Sequence, residues 1–218
     1  MVISTGTGSL ESKVYVALEE AILAGEFKAG TPLTELGLSE KLGVSRTPIR
    51  AALHRLDEDG LVELSPNRGA VVVGVNGDDL VDIYRIRMRL EGLASAMAAE
   101  KMTDEDKKSL ADTVELSEFY IRKNDPEHIK ELDTAFHSEI FKKSGSRMLC
   151  KILSDLHKSI KAYRKLSLSE NGRIEASVKE HREILEAILR SDAAEAERLT
   201  YKHVENAMKS TLGAIENS

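Results

Sequence analysis

The 218-residue sequence is short of several residue types, and each shortage excludes something. Cys150 is the only cysteine, so there is neither an intramolecular disulfide framework nor a Cys-x-x-Cys zinc site. Tryptophan is absent and aromatics make up 4%, which removes the residues that build single-strand stacking platforms. No apolar run approaches the ~18 residues of a membrane-crossing helix. The opening MVISTGTGSLESK has no basic stretch followed by an apolar one, so it does not read as a secretory signal. The expectation is a cytoplasmic protein without a membrane partner. With 4 prolines and abundant Ala, Leu, Glu and Lys, the chain favours helix.

Acidic residues outnumber basic ones, for a formal charge of −6. The balance is uneven, however. From Lys41 to Leu56 the formally charged residues are Lys41, Arg46, Arg50 and Arg55, with no acid among them. Residues 1–76 as a whole carry 7 basic and 10 acidic groups. A nucleic-acid site here is therefore one basic face on an acidic protein.

The chain divides by pattern. Residues 1–9 form a small polar tail. Residues 10–25 place Val14, Leu18 and Ile22 one turn apart, an amphipathic helix. Helical signal resumes over Glu35–Leu42 and stops at Gly43. Ser45 then stands as an N-cap, with Pro48 in the following first turn. The short aliphatic runs Leu61–Ser65 and Ala70–Val75, joined by Pro66-Asn67-Arg68-Gly69, predict a β-hairpin. Beyond Asn76 the pattern is helical, with six helices expected near 78–101, 104–123, 126–143, 146–167, 172–190 and 193–215. Thr103, Asp125 and Asp192 are the expected N-caps. The predicted fold is mainly α: a winged helix-turn-helix over 10–75, then an all-α bundle over 78–215.

In the second helix of the first part, Ile49, Leu53 and Leu56 form the apolar stripe, with Arg46 and Arg50 on its flank and Thr47 further round. The N-terminal side chains of such a helix reach base edges in the major groove, and an arginine fork can bond guanine O6 and N7 together. Ser45, Thr47 and the helix N–H groups suit phosphates. Arg68 and Gly69 at the hairpin tip suit backbone or minor groove. Spacing alone allows a second reading, a solvated face on an ordinary helical hairpin.

The run LTELGLSEKLGVSRTPIRAALHRLDEDGLVELSPNRGAVVV, residues 33–73, resembles the DNA-binding domain of the GntR family of bacterial transcription regulators. The resemblance implies a homodimer on a palindromic double-stranded operator, with Arg46, Thr47, Arg50 and the Gly69 wing tip at the DNA. One position departs: Leu36 stands where some relatives carry a basic residue.

The second part contains a ligand-type constellation. Asp133 and His137 lie four apart, so they share a helix face. His181 falls in the apolar row Val178, His181, Leu185, Ile188, and His203 in the row Ala196, Leu199, His203, Ala207. One carboxylate and three imidazoles suit zinc, with nickel or manganese as alternatives. Each histidine alone also reads as a hydrogen-bonded core residue, and Asp133 with His137 as a surface pair. Arg87 is the one charge in the row Leu80, Ile83, Arg87, Leu90, Ala94, Met97, and a buried guanidinium requires an anion. Glu91, one turn on, or a bound carboxylate would serve. Arg164 is a second candidate, whereas Arg85 and Arg89 read as surface charges.

This part resembles the helical effector domain of the FadR-like branch, called FCD, through LDTAFHSEIF, SVKEHREIL, TYKHVENA and YRIRMRLE. That resemblance implies a metal held by Asp133, His137, His181 and His203, and an organic-acid effector held by the metal and Arg87. The expected function is a ligand-responsive transcriptional regulator, a repressor by analogy with most such proteins, and not an enzyme. The alternative is a metal-dependent enzyme carrying a DNA-binding domain. It would need a poised base, and the nearest acids in sequence, Glu180 and Glu183, are expected to face away from His181. No Ser/His/Asp elbow or phosphate-cradling glycine loop is present.

Overall fold

The structure is a computed structural model and describes residues 9–23, 25–65, 69–73, 77–168 and 172–216. It divides into two compact units. One runs to Leu80 and includes Lys158–Tyr163; the other comprises Val81–His157 and Arg164–Asn217.

The first unit opens with α1 (Leu10–Leu23), whose Val14, Leu18 and Ile22 are buried as their spacing requires. Strand β1 (Pro32–Leu33) leads into α2 (Glu35–Leu42). The Thr34 hydroxyl caps α2 by accepting from the Gly37 N–H, and Gly43 closes it at φ 67°. That left-handed turn is inexpensive only for a residue without Cβ. Helix α3 (Arg46–Glu58) buries Ile49, Ala52, Leu53 and Leu56. Ser45 occupies its N-cap position in extended backbone, but its side chain makes no capping bond. Strands β2 (Val62–Ser65) and β3 (Gly69–Val72) pair antiparallel, and β1 adds to the far edge of β3. The sequence pattern revealed the hairpin but not β1, because two residues are too few to display a period of two. The wing turn, including Arg68, lies outside the described residues.

Beyond the wing the described elements are all helices: α4 (Gly77–Lys101), α5 (Asp104–Lys123), α6 (Pro126–Lys143), α7 (Arg147–Ser159), α8 (Lys161–Leu168), α9 (Arg173–Leu189) and α10 (Ala193–Glu216); the second unit holds them apart from residues 77–80 and 158–163. The caps fall where the sequence places them. Thr103 and Asp106 form a reciprocal capping box, Asp125 accepts from the His128 N–H, and Asp192 accepts from the Glu195 N–H. The single helix expected over 146–167 is two, α7 and α8, broken at Ile160, whose side chain is fully buried. No proline or glycine marks that break in the sequence. The core of the second unit gathers Leu110, Val114, Phe136, Ile140, Leu153, Ile184, Leu185 and Ile188. It packs α6 and α9 against α5, and α10 against α9. Among the described residues no helix is long and apolar enough to cross a membrane.

Candidate metal centre and nucleic-acid face

Asp133 and His137 project from α6, His181 from α9 and His203 from α10. All four are buried, and one ligand-type atom from each lies within 4.8 Å of every other. They are neither a surface pair nor isolated core histidines. His137 Nε2 lies 3.2 Å from His203 Nε2, and His181 Nε2 lies 3.6 Å from Asp133 Oδ1.

The far sides of the rings explain why these nitrogens meet. His203 Nδ1 donates to Glu180 at 2.6 Å, and His137 Nδ1 lies 3.0 Å from Glu91 Oε2, off the line of a well-aligned hydrogen bond. The Glu180 carboxylate fixes the His203 proton at Nδ1, which leaves that ring's Nε2 lone pair facing the cluster. At 3.2 Å the two Nε2 atoms either share one proton in a hydrogen bond or, with both protons on Nδ1, turn two lone pairs towards a common cation. His181 Nε2 is buried with no hydrogen-bond partner among the described residues. An orphaned imidazole nitrogen, two facing Nε2 atoms and an anionic oxygen form a donor set of the kind a divalent ion takes.

The electrostatics agree with this geometry. Burial depresses the basicity of both His181 and His203, which keeps them in the neutral form a ligand needs. Burial pushes the Asp133 carboxyl up, but Arg164 and the surrounding histidines outweigh it and hold the group below its usual value. At Glu180, burial is likewise overcome by His203 and Arg173, and its value settles at about 2.

A chain of charged groups lies behind the cluster. Arg87 Nε donates to Glu91 at 2.6 Å, so Glu91 is the anion that this buried arginine requires. His157 Nε2 lies 2.8 Å from the same carboxylate, its Nδ1 lies 2.8 Å from Arg164 Nη1, and Arg164 Nη2 donates to Asp133. Because the guanidinium can only donate, His157 accepts at Nδ1 and carries its proton at Nε2. Burial and Arg164 together lower its basicity well below the ordinary histidine range. Glu91, His137 and His157 also lie within reach of a common point. The Arg87 guanidinium already supplies a cation to that group.

Two of these residues were not read as site residues in the sequence. His157 falls on a strongly amphipathic helix, where a histidine on the inner face resembles any core residue. Glu180 was expected to face away, and it does point off the His181 face. That direction brings it to α10, where it holds His203, Asn206 and, through Arg173, the first turn of α9.

In the first unit, Ser45, Arg46, Thr47 and Arg50 are all exposed at the N-terminal end of α3. Arg46 and Arg50 line a concavity with Thr34, Ser65 and Gly69. Arg50 is not free: its Nε and Nη2 each donate at 2.8 Å to the two oxygens of Glu35 on α2. Gly69 has a backbone reason to be glycine. Its φ is +89°, and a Cβ there would lie 2.2 Å from the Leu33 carbonyl oxygen of β1.

Comparison with known proteins follows the same division. Residues 10–72 match the model of bacterial regulatory proteins, gntR family, and residues 82–206 match the FCD domain. The chain is 30% identical over 191 residues to the HTH-type transcriptional regulator YdhC of Bacillus subtilis (strain 168), covering 87% of this chain and 85% of that one. It is 28% identical over 177 residues to the gluconate operon transcriptional repressor of Bacillus licheniformis, covering 81% and 70%. The solved structure of E. coli McbR/YncC superposes with a TM-score of 0.62 at 25% identity, over 97% of this chain and 99% of that one.

Proposed function

This chain belongs to the gntR family of bacterial regulatory proteins and carries an FCD domain, and on that premise we propose that it is a repressor whose operator affinity is set by a small carboxylate bound at a metal centre. Asp133, His137, His181 and His203 would hold the ion, zinc by donor chemistry, with nickel or manganese as alternatives. When bound, the ion supplies an electrophilic anchor for a carboxylate oxygen. Glu91 and Glu180 hold His137 and His203 with Nε2 inward. Arg164 holds Asp133, and Arg87 presents Nη1, a donor with no partner among the described residues, to the ligand. The observation that carries this reading is the 3.2 Å approach of two imidazole nitrogens whose opposite faces are engaged by carboxylates.

The DNA-reading residues are Arg46, Thr47 and Arg50, with Ser45 at phosphate and the wing turn, Arg68 and Gly69, against the duplex backbone. A homodimer in the bacterial cytoplasm would place two such heads on a palindromic operator. The effector changes operator affinity only as far as it prefers one arrangement of the heads over another. A repressor role is supported by the relative named for repression of a gluconate operon. No catalytic role is assigned, because the carboxylates beside the centre are engaged by histidine or arginine. The experiment is an operator-binding titration, on a duplex selected from random sequence, with metal-loaded and metal-stripped protein and a panel of organic acids. The reading requires an acid that shifts operator affinity in the loaded protein and leaves the stripped protein unmoved. Equal shifts in both would overturn it.

A further inference from the structure

Helices α2 and α3 carry arginines for guanine but no side chain that pairs with adenine. Asparagine and glutamine are the residues that bond adenine at N6 and N7 together. The chain contains no glutamine, and the asparagine of residues 10–75 is Asn67, in the wing turn. Neither type occurs in α2 or α3. Serine and threonine hydroxyls bond either kind of base pair. An A·T pair facing these helices is therefore left with one distinguishing mark in the major groove, the C5 methyl group of thymine, which is read by apolar contact.

Leu36 is placed to make that contact. A lone exposed leucine carries no meaning by itself, and position gives this one its meaning. Leu36 is 51% exposed and lines the same concavity as Arg46 and Arg50. Of the large apolar side chains that stand exposed among the described residues, no other lines that concavity. Two residues on, Leu38 is buried in the core of this unit. Two positions are more than half a helical turn, so Leu36 is on the opposite side of α2. Its backbone is fixed, because Thr34 Oγ1 caps the turn by accepting from the Gly37 N–H at 3.1 Å. Its neighbour Glu35 is fixed as well, both carboxylate oxygens being held by Arg50. Leu36 thus stands beside a guanidinium fork on a firm helix turn. Exposed to water it gains nothing there; against a methyl group both surfaces shed water.

Resting on the assignment of α3 as the reading helix, we propose that Leu36 recognises a thymine in each operator half-site through its C5 methyl group. The arginines then specify G·C pairs and the leucine an A·T pair. Thr47, exposed in the first turn of α3, also has a methyl group, and the test separates the two.

Uracil differs from thymine by that methyl group alone, so the test is a uracil scan. The full chain is titrated by gel shift against its selected duplex, with each thymine replaced in turn by uracil at the symmetric positions of both half-sites. At one position the wild-type protein should lose about four-fold per methyl group, or about fifteen-fold for the two, from the apolar surface left wet. Leu36→Ala should bind the thymine and uracil duplexes alike at that position. Leu36→Met should keep most of the wild-type ratio, and Thr47→Ser all of it. A flat scan with wild-type protein would overturn the inference, as would a uracil penalty that survives in Leu36→Ala or disappears in Thr47→Ser. The α3 assignment fails by a different result, namely Arg46→Ala and Arg50→Ala binding the selected duplex as tightly as wild type.

Discussion

His137 and His203, on α6 and α10, point Nε2 at Nε2 across 3.2 Å while Glu91 and Glu180 occupy their opposite edges. The pairing makes Glu180 an orienting group for the centre, although it touches none of the ion's expected positions. Glu180→Gln keeps the shape and removes the charge that fixes the His203 proton. Metal affinity should fall about 10–100-fold, the usual cost of losing such an orienting partner. Competition with a chromophoric zinc chelator measures this. Unchanged affinity would mean that the ring is held by packing alone.

Removing the metal should loosen the second unit. An ion that binds only the folded chain adds about 2.7 kcal/mol at a free concentration one hundred times its dissociation constant. Thermal unfolding with and without chelator should therefore show a lower transition in the stripped protein. The two curves should coincide in His181→Ala, which has lost a ligand. A chelator effect of equal size in that variant would place the ion elsewhere.

The recognition helix gives a prediction about specificity. Arg46→Ala and Arg50→Ala should each cost about 1–3 kcal/mol of binding to a selected operator, with much less effect on unrelated duplex. Glu35 competes for Arg50 through a two-point ion pair, so Glu35→Gln should raise affinity for duplex of any sequence. Parallel gel-shift titrations on selected and random duplexes separate these outcomes. Loss confined to random duplex would contradict base reading by either arginine.

At the wing, Gly69→Ala places a methyl group 2.2 Å from the Leu33 carbonyl at a φ that alanine resists. The first unit should lose roughly 1–3 kcal/mol, because β1 must separate from β3 or the turn must change. Urea unfolding of the full chain checks this; a variant as stable as wild type would show that β1 is dispensable.

One contribution to stability should depend on pH in acid. Asp106 accepts from Lys143 Nζ and from its capping partner Thr103, which together hold its carboxyl below the usual aspartate value. A group depressed on folding stabilises above its unfolded value, near ~3.9, and that contribution disappears as pH falls through the folded value. Asp106→Ala should therefore lower the urea midpoint at pH 7 and lower it by less at pH 3. An equal deficit at both would assign the effect to lost packing.

Much of this was legible in the sequence. The caps at Thr103, Asp125 and Asp192 set helix boundaries because a side-chain oxygen satisfies a backbone N–H within a few residues, a purely local interaction. His181 and His203 stood out because each interrupts an apolar row, which fixes the inward face, and Asp133 with His137 because four-residue spacing puts both on one side of a helix. The break at Ile160 was not found, since no proline or glycine marks it. Glu180 and His157 were missed for a related reason. Their roles come from partners 23 and 66 residues away in sequence, and no helical period encodes such a distance.

The central claim is that four buried side chains from α6, α9 and α10 grip one ion. Anomalous diffraction from crystals of zinc-loaded protein, collected on both sides of the zinc edge, tests it most directly. The account predicts a single strong peak per chain, bounded by Asp133 and the Nε2 atoms of His137, His181 and His203. A map with no peak there, or with its only peak at another group of side chains, would contradict it.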